Sequence, residues 1–308
     1  MNDSPALKVG DEVADAGRAG RPVVALESTI FSSLGLPAPA NRECFDRCTA
    51  AIRAGGAVPA LTGVLSGTAI IGATDDEAER LLRGSVKVAA RGLGVAVAER
   101  LDVGVTTVSA AVTLAAAAGV EVFATGGIGG VHRGAEDSGD ISHDLTALAR
   151  HRVVTVSAGA KAFLDLGRTL EYLETLGVPV VGWRTDSFPA FYTRESEFSV
   201  PARVDDAAEV VTMMRAAAAI GHGGGILVVN PIPEADELDA RLVDEALASG
   251  LAEIARRRLR GPEVTPVVLS AIAVATDGDS IPANLALAGS NAAVATEIAV
   301  AMAGATDG

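Results

Sequence analysis

Of the 25 basic residues in this 308-residue chain only Lys8, Lys87 and Lys161 are lysines; the rest are arginines. Lys161 ends the stretch Ser157-Ala-Gly-Ala-Lys161 and is followed by Ala162 and Phe163, a small and apolar setting. Arginine would carry charge there equally well but forms no imine at neutral pH. A desolvated lysine beside a second cation gives up its proton readily. Position 161 therefore suggests a nucleophilic amine, whose ordinary value of ~10.4 must fall by several units for the free amine to dominate. Burial and a nearby Lys87 are the means available.

Three further clusters accompany it: Glu27-Ser28-Thr29, Lys87, and the glycine-rich run Thr125-Gly-Gly-Ile-Gly-Gly-Val-His-Arg-Gly134 followed by Asp140-Ile-Ser-His-Asp144. On spacing alone each keeps a plainer alternative. Glu27 serves as well as a turn acceptor for backbone amides, Lys87 as a strand-edge charge reaching into water, and the glycines as a tight turn. Asp140 and Asp144 lie four apart, so a helix starting near Ser142 would bring both toward one cavity, where oxygen donors suit Mg²⁺ or Mn²⁺ with bound water better than zinc. Equally, Ser142 and Asp144 suit the first turn of that helix. His132, His143, His151 and His222 are scattered. The glycine run lacks both G-x-G-x-x-G and the P-loop pattern, since Ala135 and Glu136 stand where the lysine and hydroxyl belong. Its main-chain amides remain suited to an anion.

These clusters need a scaffold that presents strand ends. Val- and Ile-rich runs at 22–26, 57–65, 120–125, 152–156, 178–183 and 225–229 read as buried strands. Between them lie helical segments: one capped by Asn41 and ending at Gly55, one opened by the capping box Thr74-Asp-Asp-Glu77, and others over 205–221 and 236–260. Two more start at Thr265-Pro266 and Ser280-Ile-Pro282. The alternation predicts an α/β fold, an α/β/α layered sandwich with a central mixed sheet, as one domain over residues 1–308. In such folds ligands sit beyond the C-terminal strand ends, where Glu27, Thr125 and Lys161 fall.

The composition narrows the function classes. A hydrophobic share of 49% provides a large core, and a net charge of −14 argues against a nucleic-acid partner. Cys44 and Cys48 read as reduced thiols. The Ala-rich run 110–120 is too short to span a bilayer and the N-terminal MNDSPALKVG has no leader pattern, so the cytoplasm is expected and no membrane partner.

Taken together, Ala25-Leu-Glu-Ser-Thr29, Gly56-Ala-Val-Pro-Ala60, Thr106-Thr-Val-Ser-Ala110 and Phe123-Ala-Thr-Gly-Gly-Ile-Gly-Gly-Val-His-Arg-Gly-Ala-Glu136 resemble the pseudouridine-5'-phosphate glycosidase (indigoidine synthase A-like) family. Asp140-Ile-Ser, Val156-Ser-Ala-Gly, Gly167-Arg-Thr-Leu-Glu-Tyr-Leu-Glu-Thr175, Thr185-Asp-Ser-Phe-Pro-Ala-Phe-Tyr192, Asn230-Pro-Ile-Pro233 and Ala283-Asn-Leu-Ala286 continue the match in order. The resemblance implies an enzyme that makes or breaks the bond between C1 of ribose 5-phosphate and a base carbon. It implies Lys161 as the nucleophile that forms an imine with the ring-opened sugar, and Glu27 as the acid/base that handles the ring-oxygen proton. Lys87, Thr107, Val108, Ser142, Asp144 and Asn284 match positions lining the substrate site, with His143 between two of them as a further substrate-binding candidate, and Asp140 matches the position that holds Mn²⁺, with Mg²⁺ as the substitute. A homotrimer is the implied assembly.

The departures from the family pattern concentrate on one half of the site. The histidine expected before the Gly-x-Pro turn is replaced within Ser32-Ser33-Leu34, Ala89-Ala90-Arg91-Gly92 replaces Ser-Arg-Arg-Asp, and Ser142-His143-Asp144 replaces Ser-Ala-Asp. Loss of polar partners for a small base favours a larger, flatter aglycone. The pattern is similar to the C-ribosylating branch that joins ribose 5-phosphate to an aromatic polyketide in the alnumycin pathway. C-glycoside synthesis on such an acceptor is the favoured expectation, with pseudouridine 5'-phosphate turnover as the alternative.

Overall fold

A computed structural model describes residues 6–257 and 264–305. The strands are β1 (Leu7–Val9), β2 (Val23–Leu26), β3 (Val58–Leu65), β4 (Thr68–Ile71), β5 (Lys87–Val88), β6 (Val103–Thr106), β7 (Val122–Ala124), β8 (Val131–His132), β9 (Val154–Ser157), β10 (Leu164–Asp165), β11 (Val180–Trp183), β12 (Ala202–Val204) and β13 (Ile226–Val229). The helices are α1 (Asp11–Arg18), α2 (Ala40–Ala54), α3 (Asp75–Leu82), α4 (Ala90–Ala98), α5 (Val108–Ala117), α6 (Ala135–Ser138), α7 (His143–Arg150), α8 (Leu166–Thr175), α9 (Ala207–Ala219), α10 (Ala240–Arg257), α11 (Val264–Ala275) and α12 (Ser280–Gly304).

Every expected strand is present. Runs such as Ile226–Val229 are buried on both faces, which is why they read as continuous apolar segments rather than alternating ones. They build one mixed sheet in the order β1-β4-β3-β2-β7-β9-β13-β11-β12, with β6 pairing β3 and β5 pairing β6. From β3 through β2 and β7 to β12 all neighbours are parallel, whereas β3 meets β4 and β6 antiparallel. Helices cover both faces, one group formed by α2, α9 and α12 and another by α4, α5 and α7. This is the expected α/β layered sandwich with a mixed sheet.

The differences lie in the short elements. Strands β1, β4, β5, β6, β8, β10 and β12 are not among the expected runs, because two to four residues carry too little periodicity to separate strand from loop. Asn41 is not a cap: α2 starts at Ala40 with Pro39 at the cap position, and the buried Asn41 amide donates to the carbonyl of Phe31 at 3.0 Å. The capping box at Thr74 and Glu77 forms as expected. The expected helix end at Arg258–Arg260 and the opening residues 1–5 lie outside the described residues. Among the described residues, α12 is long and apolar enough by length and composition to cross a bilayer, yet 61% of its apolar window is buried, and it packs on α2, α9, β2, β7 and β9. Its alanines and glycines allow that close approach. Cys44 and Cys48 are buried free thiols on α2.

Candidate active site

Parallel strands β2, β7 and β9 lie side by side, so the residues that leave their C-terminal ends converge. Glu27 follows β2, Thr125 follows β7, and Lys161 follows β9 after a bend through Gly159, whose φ of +80° suits a residue without a Cβ. The Lys161 amide donates to the Ile128 carbonyl at 3.0 Å, which pins the lysine segment to the glycine-rich loop. Gly129 in that loop is required by contact. A Cβ there would collide with Ser142 Oγ and the Asp144 carboxylate.

Two cavities meet at this point. One, of about 1160 Å³, is lined by Thr107, Ser109, Arg91, His132, Asp140, Ser142, His143 and Asp144. The other, of about 250 Å³, is walled by Ile30, Leu34, Leu36, Phe163, Phe191 and Ile272, with Asn284 and Tyr192 as its polar corner. Glu27, Lys87 and Lys161 line both.

Electrostatics at the junction follow from enclosure. Burial pushes the Glu27 carboxyl above its ordinary value; the Lys161 charge, a hydrogen bond from Thr125 and the Lys87 charge pull it down, and Asp144 pushes it up. Glu27 itself is 4% exposed. Lys87 is reachable by solvent through the wide cavity, yet the surrounding walls push its ammonium below the usual lysine range, helped by Lys161 and opposed by Glu27 and Asp144. Lys161 is half-buried between the two cavities.

The remaining sequence candidates separate by place. Thr107 caps the position before α5, and its hydroxyl bonds Ser109 Oγ at 2.9 Å. Ser142 caps α7 by accepting from the Asp144 amide, with His143 as the first helical residue on the wall of the wide cavity. Asp144 lines that cavity, but its two oxygens accept from the amides of Ser109 at 2.8 Å and Gly129 at 2.9 Å. Its carboxylate thus ties the start of α5 to the glycine loop. Val108 lines neither cavity; its side chain is buried in the core, and Ser109 faces the cavity instead. Asn284, on α12, sits in the narrow cavity and donates to Tyr192 Oη at 2.7 Å. Burial pushes that phenol up to about 12, so its proton stays available for donation.

Asp140 is partly exposed, with His132 Nδ1 at 3.8 Å from its Oδ2. Among the described residues no three His, Cys, Asp or Glu side chains gather as a metal cage. A single carboxylate open to water fits a hydrated Mn²⁺ or Mg²⁺ and would not hold a dehydrated ion. Sequence reasoning placed Thr125 at a strand end without giving it a role, and missed Phe191 and Tyr192 as site residues. Thr125 carried a readable signal, a hydroxyl at the end of a strand, while the other two belong to an irregular segment whose path no local pattern reveals.

The arrangement can be set beside known proteins. The indigoidine synthase A-like protein family matches residues 12–301. The chain is 49% identical over 302 residues to the pseudouridine-5'-phosphate glycosidase of a Nocardioides species, covering 97% of this chain and 98% of that protein. It is 48% identical to the enzyme of that name from Methylobacterium nodulans, covering 98% and 89% of the two chains. Among solved structures it is similar to the prealnumycin C-glycosynthase AlnA in complex with ribulose 5-phosphate, with a TM-score of 0.91, 38% identity and 99% of each chain covered. An indigoidine synthase A-like protein from Thermotoga maritima matches with a TM-score of 0.86, 36% identity and 96% of each chain covered. The chain is an enzyme of the indigoidine synthase A-like family, to which these pseudouridine-5'-phosphate glycosidases belong.

Proposed function

We propose that this protein cleaves and forms the bond between C1 of ribose 5-phosphate and C5 of uracil, as a pseudouridine-5'-phosphate glycosidase. The observation that carries the reading is the sharing of Glu27, Lys87 and Lys161 by two cavities, a wide one of mixed lining rich in hydroxyl and charged groups and a narrow, mostly apolar one. The sugar phosphate occupies the wide polar cavity, where Lys87, Arg91 and the start of α5 supply positive charge and N–H donors. The base occupies the narrow one.

In the cleavage direction the free amine of Lys161 bonds to C1 as the C1–O4 bond breaks, and Glu27 gives the ring oxygen its proton. The nitrogen then returns its proton to Glu27. Its lone pair forms the C1=N bond as the C1–C5 bond breaks, and uracil C5 takes the electron pair together with the proton that Glu27 has just received. Water adds to the imine, restoring the amine and releasing ribose 5-phosphate. One pseudouridine 5'-phosphate and one water become uracil and ribose 5-phosphate. Asp140 with bound waters would hold Mn²⁺ or Mg²⁺, which supplies a positive charge at the sugar-phosphate side. This reading treats residues 1–308 as one catalytic domain, acting in the cytoplasm as a homotrimer.

Identity of 49% to a glycosidase against 38% to the C-glycosynthase supports this reading over the synthetic one that the sequence favoured. One observation still favours synthesis on an aromatic acceptor: beyond the shared Glu27, Lys87 and Lys161, the walls of the narrow cavity are mostly apolar, with Ser85, Asn284 and Tyr192 among its few polar groups, and unpaired polar edges are costly to bury. Release of uracil from pseudouridine 5'-phosphate, measured beside coupling of ribose 5-phosphate to a planar polyphenol, decides between them. Faster turnover of pseudouridine 5'-phosphate supports the glycosidase. Coupling of the polyphenol alone overturns it.

A further inference from the structure

Glu27 is held from one side only. Its Oε1 accepts a 2.5 Å hydrogen bond from Thr125 Oγ1, in a spot where both residues are buried. Among the described residues no donor reaches Oε2. The backbone carrying Thr125 is itself tied down: Asn291 Nδ2, on α12, donates to the Thr125 carbonyl at 2.8 Å and reaches that of Gly126 at 3.3 Å. Asn291 Oδ1 accepts from Asn230 Nδ2 at 2.9 Å, and the Asn230 amide donates to Ser157 at the end of β9. A buried polar relay therefore runs from β13 through α12 to β7 and ends on the carboxyl.

We propose that Thr125, anchored by Asn291, is a positioning residue that clamps Oε1 of Glu27 and leaves Oε2 to exchange the proton with substrate. The inference rests on the acid–base role proposed for Glu27. A hydroxyl without a second fixed contact would let the carboxyl rotate and present either oxygen. The Asn291 bonds remove that freedom, since they hold the backbone from which the hydroxyl projects.

The clamp has a pH signature. A donated hydrogen bond favours the ionised carboxyl, as do Lys161 from the loop after β9 and Lys87 on β5. Asp144 on α7 opposes them, and the Cys44 thiol on α2 is pushed well up and stays neutral. Removing the Thr125 hydroxyl thus raises the point at which Glu27 ionises. Whether Glu27 is needed ionised or protonated, the limb of the activity profile that it governs moves to higher pH.

The test uses pseudouridine 5'-phosphate cleavage by the full chain. Thr125→Val is expected to lower kcat roughly 10- to 100-fold, the loss of one buried hydrogen bond to a charged group, with KM changed less than about twofold. The Glu27 limb moves up in pH, and Thr125→Ser restores both. Should the valine variant not fold, Thr125→Cys, whose thiol is a weak donor, is expected to move the limb in the same direction. An unmoved limb, or a serine variant as impaired as valine, overturns the proposal. Glu27→Gln separates the two layers. If it is inactive while Thr125→Val behaves as wild type, the clamp alone fails; if it keeps full activity, the acid–base reading fails and the clamp with it.

Discussion

The two cavities share a floor and differ in width and in the polar groups that line them. The wide one collects hydroxyls, an N-terminal helix end and charged groups, many of them already engaged with one another: Thr107 with Ser109, Ser142 with the Asp144 amide, and Asp144 with two main-chain amides. The narrow one is walled mostly by aliphatic and aromatic side chains, with Asn284 hydrogen-bonded to Tyr192 at one corner and the hydroxyls of Thr29, Ser85 and Thr125 elsewhere in its lining. A polar chamber can orient a charged sugar phosphate through fixed donors. An apolar one selects by shape and by the cost of unpaired polar edges. Under the proposed function, recognition of the two halves of a C-nucleotide is divided between two sides of one lysine.

That division can be broken at its junction or on either side. The largest effect is expected at the junction. Glu27→Gln should lower kcat about 10²- to 10⁴-fold, the usual range for a general acid–base group. It should also change stability in a direction that depends on pH. A carboxyl raised by burial holds its proton more tightly in the folded chain, so its stabilising contribution is present in mild acid and is lost as pH rises through the folded value. The glutamine variant is expected to melt above the parent at alkaline pH, with the gap closing in mild acid, as calorimetry across pH will show. On the wide side, Arg91→Met, at a residue that lines that cavity and not the narrow one, should raise KM for ribose 5-phosphate roughly 10- to 10²-fold, as expected for removal of a charge-assisted contact, while leaving the ratio of uracil to polyphenol turnover unchanged. Because Lys87 loses its proton below the usual lysine range, sugar-phosphate affinity in the parent should weaken earlier on the alkaline side than an ordinary lysine would allow. The smallest effect belongs to the apolar wall. Leu34→Ser should shift the aglycone ratio toward uracil by about tenfold and leave KM for ribose 5-phosphate in place. Movement of both quantities in either variant would mean that the cavities are not separate recognition sites.

Much of this arrangement was legible in the chain itself. Lys161 stood out because a chain rich in arginine keeps a lysine among alanines, and Glu27 because it follows a buried strand. Their meeting required only that β2 and β9 lie in one parallel layer, one strand apart. Val108 shows where a motif match alone misleads about a side chain. The motif Thr106-Thr-Val-Ser-Ala110 starts a helix, and the helical turn, not the order of residues, decides that Ser109 faces the cavity while Val108 packs inward. Asp144 is a second case, since nothing local reveals that two amides from distant segments occupy its oxygens. The apolar chamber was legible only as missing polar residues near Leu34; Ile272 and Phe191 reach it from segments more than 150 residues away in sequence. Long-range packing of that kind leaves no local period.

The central claim is that Lys161 forms an imine with the sugar. Incubation with ribose 5-phosphate and borohydride, followed by peptide mass analysis, tests it most directly. The account predicts a reduced pentose-phosphate adduct on the peptide containing Lys161, absent from Lys161→Ala and from samples without the sugar. An unmodified Lys161 peptide in protein that turns over pseudouridine 5'-phosphate, or an adduct on Lys87 instead, would contradict it.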